Sequence, residues 1–342
     1  MPEARPSAPL PPPAPAPALV RVEGLTKHFG ARPGLLGRLA GRPAPRLVAV
    51  DDVSFEIREG EILSLVGESG SGKTTLGQCL LRLQEPTAGR VLLDGEDLLA
   101  LEPAALRRAR RQAQMIFQDP FSSLNPRMTV RAALTEVLRV HAIRPSDRID
   151  ARVAELLELV GLAPETADRT PRHFSGGQRQ RIGIARALAV EPRFIVADEP
   201  LSAVDVSVQA QIMNLLLDLR DRLGLTLLFI AHDLSVVRYL SDRVGVMYMG
   251  RIVEIGPRDR IFGAARHPYA QALLRAAPRP DPSRRSAEAA LAGEPPSPLD
   301  PPPGCHFHAR CPRATAVCRT TAPPPVGVAP DHVVRCHHHA DA

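Results

Sequence analysis

GESGSGKTT at 67–75 constrains this chain more than any other stretch. It follows the apolar run ILSLV and precedes the helix-like TTLGQCLLRL. A strand, a glycine-rich loop and a helix in that order are the setting the G-x-x-x-x-G-K-[ST] phosphate-binding loop requires. Gly67, Gly70 and Gly72 let the backbone curl, so that successive N–H groups through Glu68, Ser69, Ser71 and Thr75 point at phosphate oxygens beside a helix N-terminus. Lys73 is placed to reach the β- and γ-phosphates, and the Thr74 hydroxyl to ligate Mg²⁺. A Gly/Ser turn with an incidental lysine is the plain alternative, and the strand and helix on either side argue against it. Lys73 stands out in composition too: of 43 basic residues only Lys27 and Lys73 are lysines. A phosphate site needs a compact ammonium more than a planar fork. The expected ligand is a nucleoside triphosphate.

FIVADEP closes a second apolar strand with two acids. Asp198 fits the carboxylate that holds Mg²⁺ in P-loop enzymes. Glu199, one residue further out, is placed to orient or deprotonate an attacking water. HFSGGQRQRIGIARALA lies between the two motifs. Its Ser-Gly-Gly opens a helix and makes a second anion site. One nucleotide does not need two such sites from one chain, so the second is expected to serve a nucleotide held by another copy or a relative.

Length and pattern set the architecture around these motifs. The chain has 342 residues, 44% of them apolar, enough for one large domain and something smaller. Runs such as FIVADEP and TLLFIAH are continuous rather than alternating, and helical stretches such as VSVQAQIMNLLLDLRDRLG separate them. That pattern predicts an α/β fold with a mostly parallel sheet. Residues 119–175 break the alternation and read as mostly helical. Residues 1–18 read as a disordered Pro-rich tail without signal-peptide character. The Pro-, Ala- and Arg-rich stretch from about 277 marks a linker to a separate small module. The net charge of +6 is spread among interleaved acids and arginines. RRARR at 107–111 is short enough to be a solvated helix face, so no nucleic acid is expected as partner. No run approaches the roughly 18–20 apolar residues of a membrane span. The chain is expected to be soluble and not exported.

These motifs, in their order, resemble the ATP-binding subunits of ABC transporters over residues 19–263. FSGGQ resembles the family signature, with Phe174 in place of the commoner Leu. Gln118 in IFQDP resembles the Q-loop glutamine, Asp205 in SAVDVS the D-loop aspartate, and His232 in IAHDL the switch histidine. Phe29 in KHFG stands where the family stacks a ring on adenine. The resemblance implies two subunits sandwiching two ATP molecules. Lys73, Thr74, Gln118, Asp198, Glu199 and His232 of one chain would face Ser175, Gly176, Gly177, Gln178 and Asp205 of the other, with Gln118 also reaching Mg²⁺. The insert GARPGLLGRLAGRPAPRLVAVDDVSF, the phrase FQDPFSSLNPRMTV and HPYAQALLRAAP at 267–278 are similar to ATPases of oligopeptide, dipeptide and nickel importers. SGGQRQR resembles the second of the two paralogous ATPases such systems encode. The implied partners are that paralogue, two transmembrane permease subunits and, indirectly, an extracytoplasmic substrate-binding protein. The implied place is the cytoplasmic face of the plasma membrane.

Four of the five cysteines, Cys305, Cys311, Cys318 and Cys336, crowd the extension at 264–342 with spacing C-x5-C-x6-C-x17-C. Cytoplasmic ATP hydrolysis argues against disulfides. The spacing lacks the C-x2-C knuckles of zinc ribbons and suits an iron–sulfur cluster about as well. Free thiols are a third reading. Among the resembled importers, GCHFHARCPRATAVC…RCH corresponds to an extension associated with a [4Fe–4S] cluster. His306, His308 and His337–His339 are candidate members of a zinc site or plain surface residues. Cys79, after the P-loop, reads as a small buried hydrophobe. Two competing functions remain: a soluble ABC ATPase acting on nucleic acid or ribosomes, and an ATP-gated iron–sulfur sensor. The first lacks the coiled-coil insertion or second cassette such machines carry, and the second would make the cysteine tail primary.

Overall fold

The computed structural model describes residues 17–30, 46–119, 124–202, 204–276, 293–294 and 296–341. Nearly all of the expected N-terminal tail and most of the insert after Gly30 lie outside them. The main sheet is built on β3 (Ile62–Val66), β6 (Ala113–Ile116), β7 (Phe194–Asp198), β8 (Thr226–Ile230) and β9 (Arg243–Tyr248). These five run parallel in the order β9-β3-β8-β7-β6. Every residue of β3, β7 and β8 is buried, which is why their sequences are mostly apolar without alternation. Both faces of a parallel sheet are covered.

Alternation along β7 divides the core. Phe194 and Val196 point to one side and Ile195 and Ala197 to the other. On the first side lie α1 (Lys73–Leu80) and an antiparallel sheet of β2 (Arg46–Arg58), β1 (Ala18–Gly30), β4 (Ala88–Leu93) and β5 (Glu96–Asp97). Cys79 is fully buried there, and burial pushes its thiol up to about 11. The other side holds α5 (Gly176–Leu188), α6 (Val206–Leu223) and α7 (Leu234–Leu240). The short α2 (Pro103–Gln112) leads into β6.

Residues 124–175 contain α3 (Val130–Val140) and α4 (Ile149–Leu159) with short helical turns between them and α5. Thr129 caps α3 by accepting from the Ala132 N–H. Val130, Leu134 and Leu138 recur at a four-residue spacing and bury one face. Ile149, Val153, Leu156 and Leu157 do the same on α4.

The extension departs from the expected separate module. After β10 (Arg251–Pro257) come α8 (Arg258–Ala264) and α9 (Pro268–Ala276). Further on, past α10 (Ala316–Thr320), the hairpin β11 (Val326–Ala329) and β12 (His332–Val334) returns to the main sheet. β12 pairs antiparallel with β10, placing Val334 opposite Glu254 and Val333 opposite Ile255. The eight-stranded sheet therefore runs from β6 to β11 without a break. The extension satisfies the backbone groups of β10, which would otherwise form an open edge. His332 and Glu254, both buried, seal the join through a 2.8 Å contact between Nε2 and Oε1.

Candidate nucleotide site

The carboxyl ends of β3, β7 and β8 bring the motif residues to one place. The phosphate loop leaves β3 and enters α1 at Gly72, whose φ of 102° favours glycine. A Cβ there would lie 2.0 Å from the Ala49 carbonyl oxygen, so no other residue fits without moving β2. Inside the loop, Lys73 Nζ donates to the carbonyl oxygens of Gly67 and Glu68 at 2.9 and 3.0 Å, and to Ser71 Oγ at 3.3 Å. Burial draws the lysine's pKa below its ordinary value, while Glu199, Asp198 and Glu68 oppose that shift.

Across from the loop, the Thr74 hydroxyl donates to Asp198 Oδ1 at 2.9 Å. Asp198 is buried, and burial raises its carboxyl above the usual range although the Thr74 hydrogen bond works against this. Glu199 follows with a φ of 44°, its N–H bonded to the Ile230 carbonyl of β8. Its Oε2 accepts from Gln118 Nε2 at 2.9 Å and lies 3.5 Å from His232 Nδ1. Three motifs separated by up to 114 residues thus meet at one carboxylate.

Most of these groups line one cavity, Asp198 does not, and His232 lines a second one that shares Glu199. Ser69, Gly70, Gly72, Lys73, Thr74 and Thr75 form the floor of the first, Gln118 and Glu199 one end, and Phe29 with the start of β2 the other. Phe29 is 38% exposed, with Lys27 Nζ over its ring at 4.7 Å from the centroid. Gly67 and Ser71 are not among the residues that line this first cavity. The Glu68 side chain points away and bonds to Arg310 of the extension.

Ser175, Gly176, Gly177, Gln178 and Asp205 are not among the residues that line this cavity. Ser175 caps α5 in a reciprocal box: its Oγ accepts from the Gln178 N–H and Gln178 Oε1 accepts from the Ser175 N–H. A Cβ at Gly177 would meet Val208 of α6 at 2.3 Å. Asp205 stands at the N-cap of that helix.

Two family descriptions match the chain: ABC transporter over residues 50–202, and oligopeptide/dipeptide transporter, C-terminal region, over 253–318. The probable peptide ABC transporter ATP-binding protein of Sinorhizobium fredii is 50% identical over 325 residues, covering 95% of this chain and 91% of its own length. The oligopeptide transport ATP-binding protein AppF of Bacillus subtilis is 47% identical over 322 residues, covering 93% and 97%. The chain belongs to the ATP-binding proteins of ABC transporters. Among solved structures, the dimeric post-hydrolysis ATP-binding cassette MJ0796 bound to ADP and Pi shares 30% identity with a TM-score of 0.60. It covers 70% of this chain and 98% of its own.

As a member of the ABC transporter ATP-binding proteins, the chain is an ATPase coupled to transport, and its oxygen donors suit Mg²⁺. Thr74 and the buried Asp198 supply a hydroxyl and a carboxylate at the loop, with Gln118 at the cavity's edge. The cysteines of the extension are buried or half-buried. Burial pushes the Cys305 thiol up to about 11 and raises those of Cys311 and Cys336. His306, His308 and His339 each donate through Nδ1 to a backbone carbonyl, and His337 does so through Nε2. Among the described residues no group of three or more His, Cys, Asp or Glu side chains is arranged to hold a metal ion. A [4Fe–4S] or zinc centre finds no support in these contacts, although Cys311, Cys336 and Cys318 all lie near enough to Cys305 to add to the upward shift of its thiol. No disulfide joins the five cysteines. No helix among the described residues is long and apolar enough to cross a membrane.

Sequence reasoning missed Tyr269 and Pro298. The Tyr269 hydroxyl accepts from the Glu68 N–H at 2.9 Å. Pro298 lines the nucleotide cavity, and its carbonyl accepts from the Val48 N–H at 2.9 Å. Neither carries a motif of its own. HPYAQALLRAAP marked the right segment without indicating that its tyrosine reaches the phosphate loop.

Proposed function

We propose that the chain is the ATP-hydrolysing, energy-coupling subunit of a peptide importer. The observation that carries this reading is the meeting of Gln118, Glu199 and His232 at one carboxylate beside the Lys73 loop. The family match over 253–318 directs it to peptides.

Lys73 and the loop N–H groups bind the β- and γ-phosphates, and Phe29 stacks on the base. Thr74, Asp198 and Gln118 would hold Mg²⁺, which would supply charge neutralisation at the phosphates. Glu199 takes the proton of the attacking water. Gln118 fixes one of its oxygens, and His232 stands at the same oxygen from β8. Ser175, Gly176, Gly177, Gln178 and Asp205 act on the nucleotide of a second subunit, a paralogous ATPase. That division agrees with their absence from this chain's own cavity. Two permease subunits dock on the face that carries Gln118, where Phe117, Leu83 and Val140 are exposed around a groove. The assembly sits on the cytoplasmic face of the plasma membrane, fed by an extracytoplasmic binding protein. No step passes through the cysteines.

Affinity purification of the Glu199→Gln chain with ATP from detergent-solubilised membranes tests the assignment. Two polytopic proteins and a second ATPase are expected. A catch of ribosomes, nucleic acid or the chain alone would refute the transport role.

A further inference from the structure

Arg310 lies in the turn between Cys305 and Cys311, 242 residues along the chain from Glu68 of the phosphate loop. Its guanidinium meets the Glu68 carboxylate as a fork: Nη1 to Oε2 at 2.9 Å and Nη2 to Oε1 at 3.1 Å. The Arg310 side chain is only 5% exposed and that of Glu68 26%. The guanidinium also lies 5.9 Å from the ring centroid of Tyr248 and 6.0 Å from that of Phe307, within cation–π range.

The grip on Glu68 is double. While Arg310 holds the carboxylate, the hydroxyl of Tyr269 on α9 holds its backbone N–H. The third group on Glu68, its carbonyl, accepts from Lys73 Nζ. Tyr248, Tyr269 and Phe307 pack against one another with centroids 4.6 to 5.4 Å apart, so the two grips share one rigid base. A second contact reaches the opposite end of the cavity, where Pro298 of the extension bonds to Val48 and forms part of the wall near Phe29.

A partly buried ion pair stabilises a fold little better than apolar residues of the same volume. What a bidentate pair supplies is position, because two parallel bonds fix a carboxylate in plane and distance. The carboxylate fixed here belongs to the loop whose curl must match a triphosphate. Phosphate oxygens also compete with the Glu68 carbonyl for Lys73 Nζ. A loop pinned at Glu68 keeps its shape when the lysine turns.

We propose that the C-terminal extension completes the nucleotide site, with Arg310 as a positioning residue that holds the phosphate loop through Glu68. The conformation of the Cys305–Cys311 turn is thereby expressed as nucleotide affinity. This rests on the assignment of residues 67–75 as the nucleotide site.

The test is equilibrium titration of the purified full-length chain with a fluorescent ATP analogue and Mg²⁺, with the melting midpoint of each variant measured without nucleotide. Arg310→Gln and Glu68→Gln should each raise Kd about tenfold, and the double variant should be no weaker than the weaker single. Arg310→Lys keeps the charge but loses the fork, and should stay several-fold weaker than wild type. If Arg310→Gln does not fold, Arg310→Lys and Glu68→Gln carry the same comparison. Lower melting midpoints with wild-type Kd would make the bridge purely structural and overturn the proposal, as would additive losses in the double variant. Lys73→Ala separates the two claims. If it abolishes binding while the Arg310 variants bind normally, only the positioning role fails. If it binds as wild type does, the nucleotide-site assignment fails as well.

Discussion

The Thr74 hydroxyl donates to Asp198 Oδ1 at 2.9 Å, tying the start of α1 to the end of β7. The bond partly offsets the cost of burying a carboxylate beside Glu199. Asp198→Asn removes that charge, so its melting midpoint without nucleotide should equal or exceed that of the wild type. Mg²⁺-dependent ATP binding should weaken by at least about tenfold, because the metal's carboxylate is gone. Thermal shift with and without MgATP measures both. A variant that gains as much from MgATP as the wild type would remove Asp198 from the metal site.

Glu199 separates binding from turnover. Glu199→Gln keeps the shape and a partner for Gln118 but lacks a base, so hydrolysis in the assembled complex should fall by at least about a hundredfold. ATP affinity should stay near that of the wild type. Near-normal hydrolysis would assign the proton transfer to another group.

His267 links stability to acid. It is fully buried, its Nδ1 accepts from the Tyr269 N–H, and burial pushes its pKa down to about 3. Above about pH 6.5 the ring is neutral in both folded and unfolded chains and stability is unaffected. Below that the unfolded chain takes up a proton that the folded one refuses. Stability should therefore fall by about 1.4 kcal/mol per pH unit from this residue, on down toward pH 3. Denaturant midpoints at pH 7.5 and 5.5 should differ less in His267→Asn than in the wild type. An equal pH effect in both would show that His267 is not buried neutral.

Phe307 is buried between Tyr248, Tyr269 and His267. Phe307→Ala should cost about 3–5 kcal/mol, and limited proteolysis should then cut residues 300–341 ahead of the cassette. A chain that resists cleavage as the wild type does would show the extension held mainly by its hairpin.

The meeting of the motif residues was legible because each motif is short and stands at a strand end. Lys73, Asp198, Glu199 and His232 needed only the strand count to be placed together, and Gln118 the end of β6. Glu68 was legible only as backbone. Its side chain depends on a partner 242 residues away, and no local spacing encodes that. β11 and β12 are four and three residues long, too short for an alternating pattern to mark them. Cysteine spacing suggested ligands, and the four thiols do neighbour one another, but the described residues show no group arranged to hold a metal.

The pairing of β12 with β10 changes what counts as a removable part. A chain cut after α9 would leave the Glu254 and Ile255 backbone facing water and deprive the Glu254 carboxylate of His332. It would also uncover Tyr248 and Tyr269, an invitation to strand-to-strand association between molecules. Extensions exchanged between relatives should therefore travel with β10, α9 and the glutamate of the phosphate loop. The heritable unit is a sheet edge and its latch, and its seam passes through the ATP site rather than at the linker.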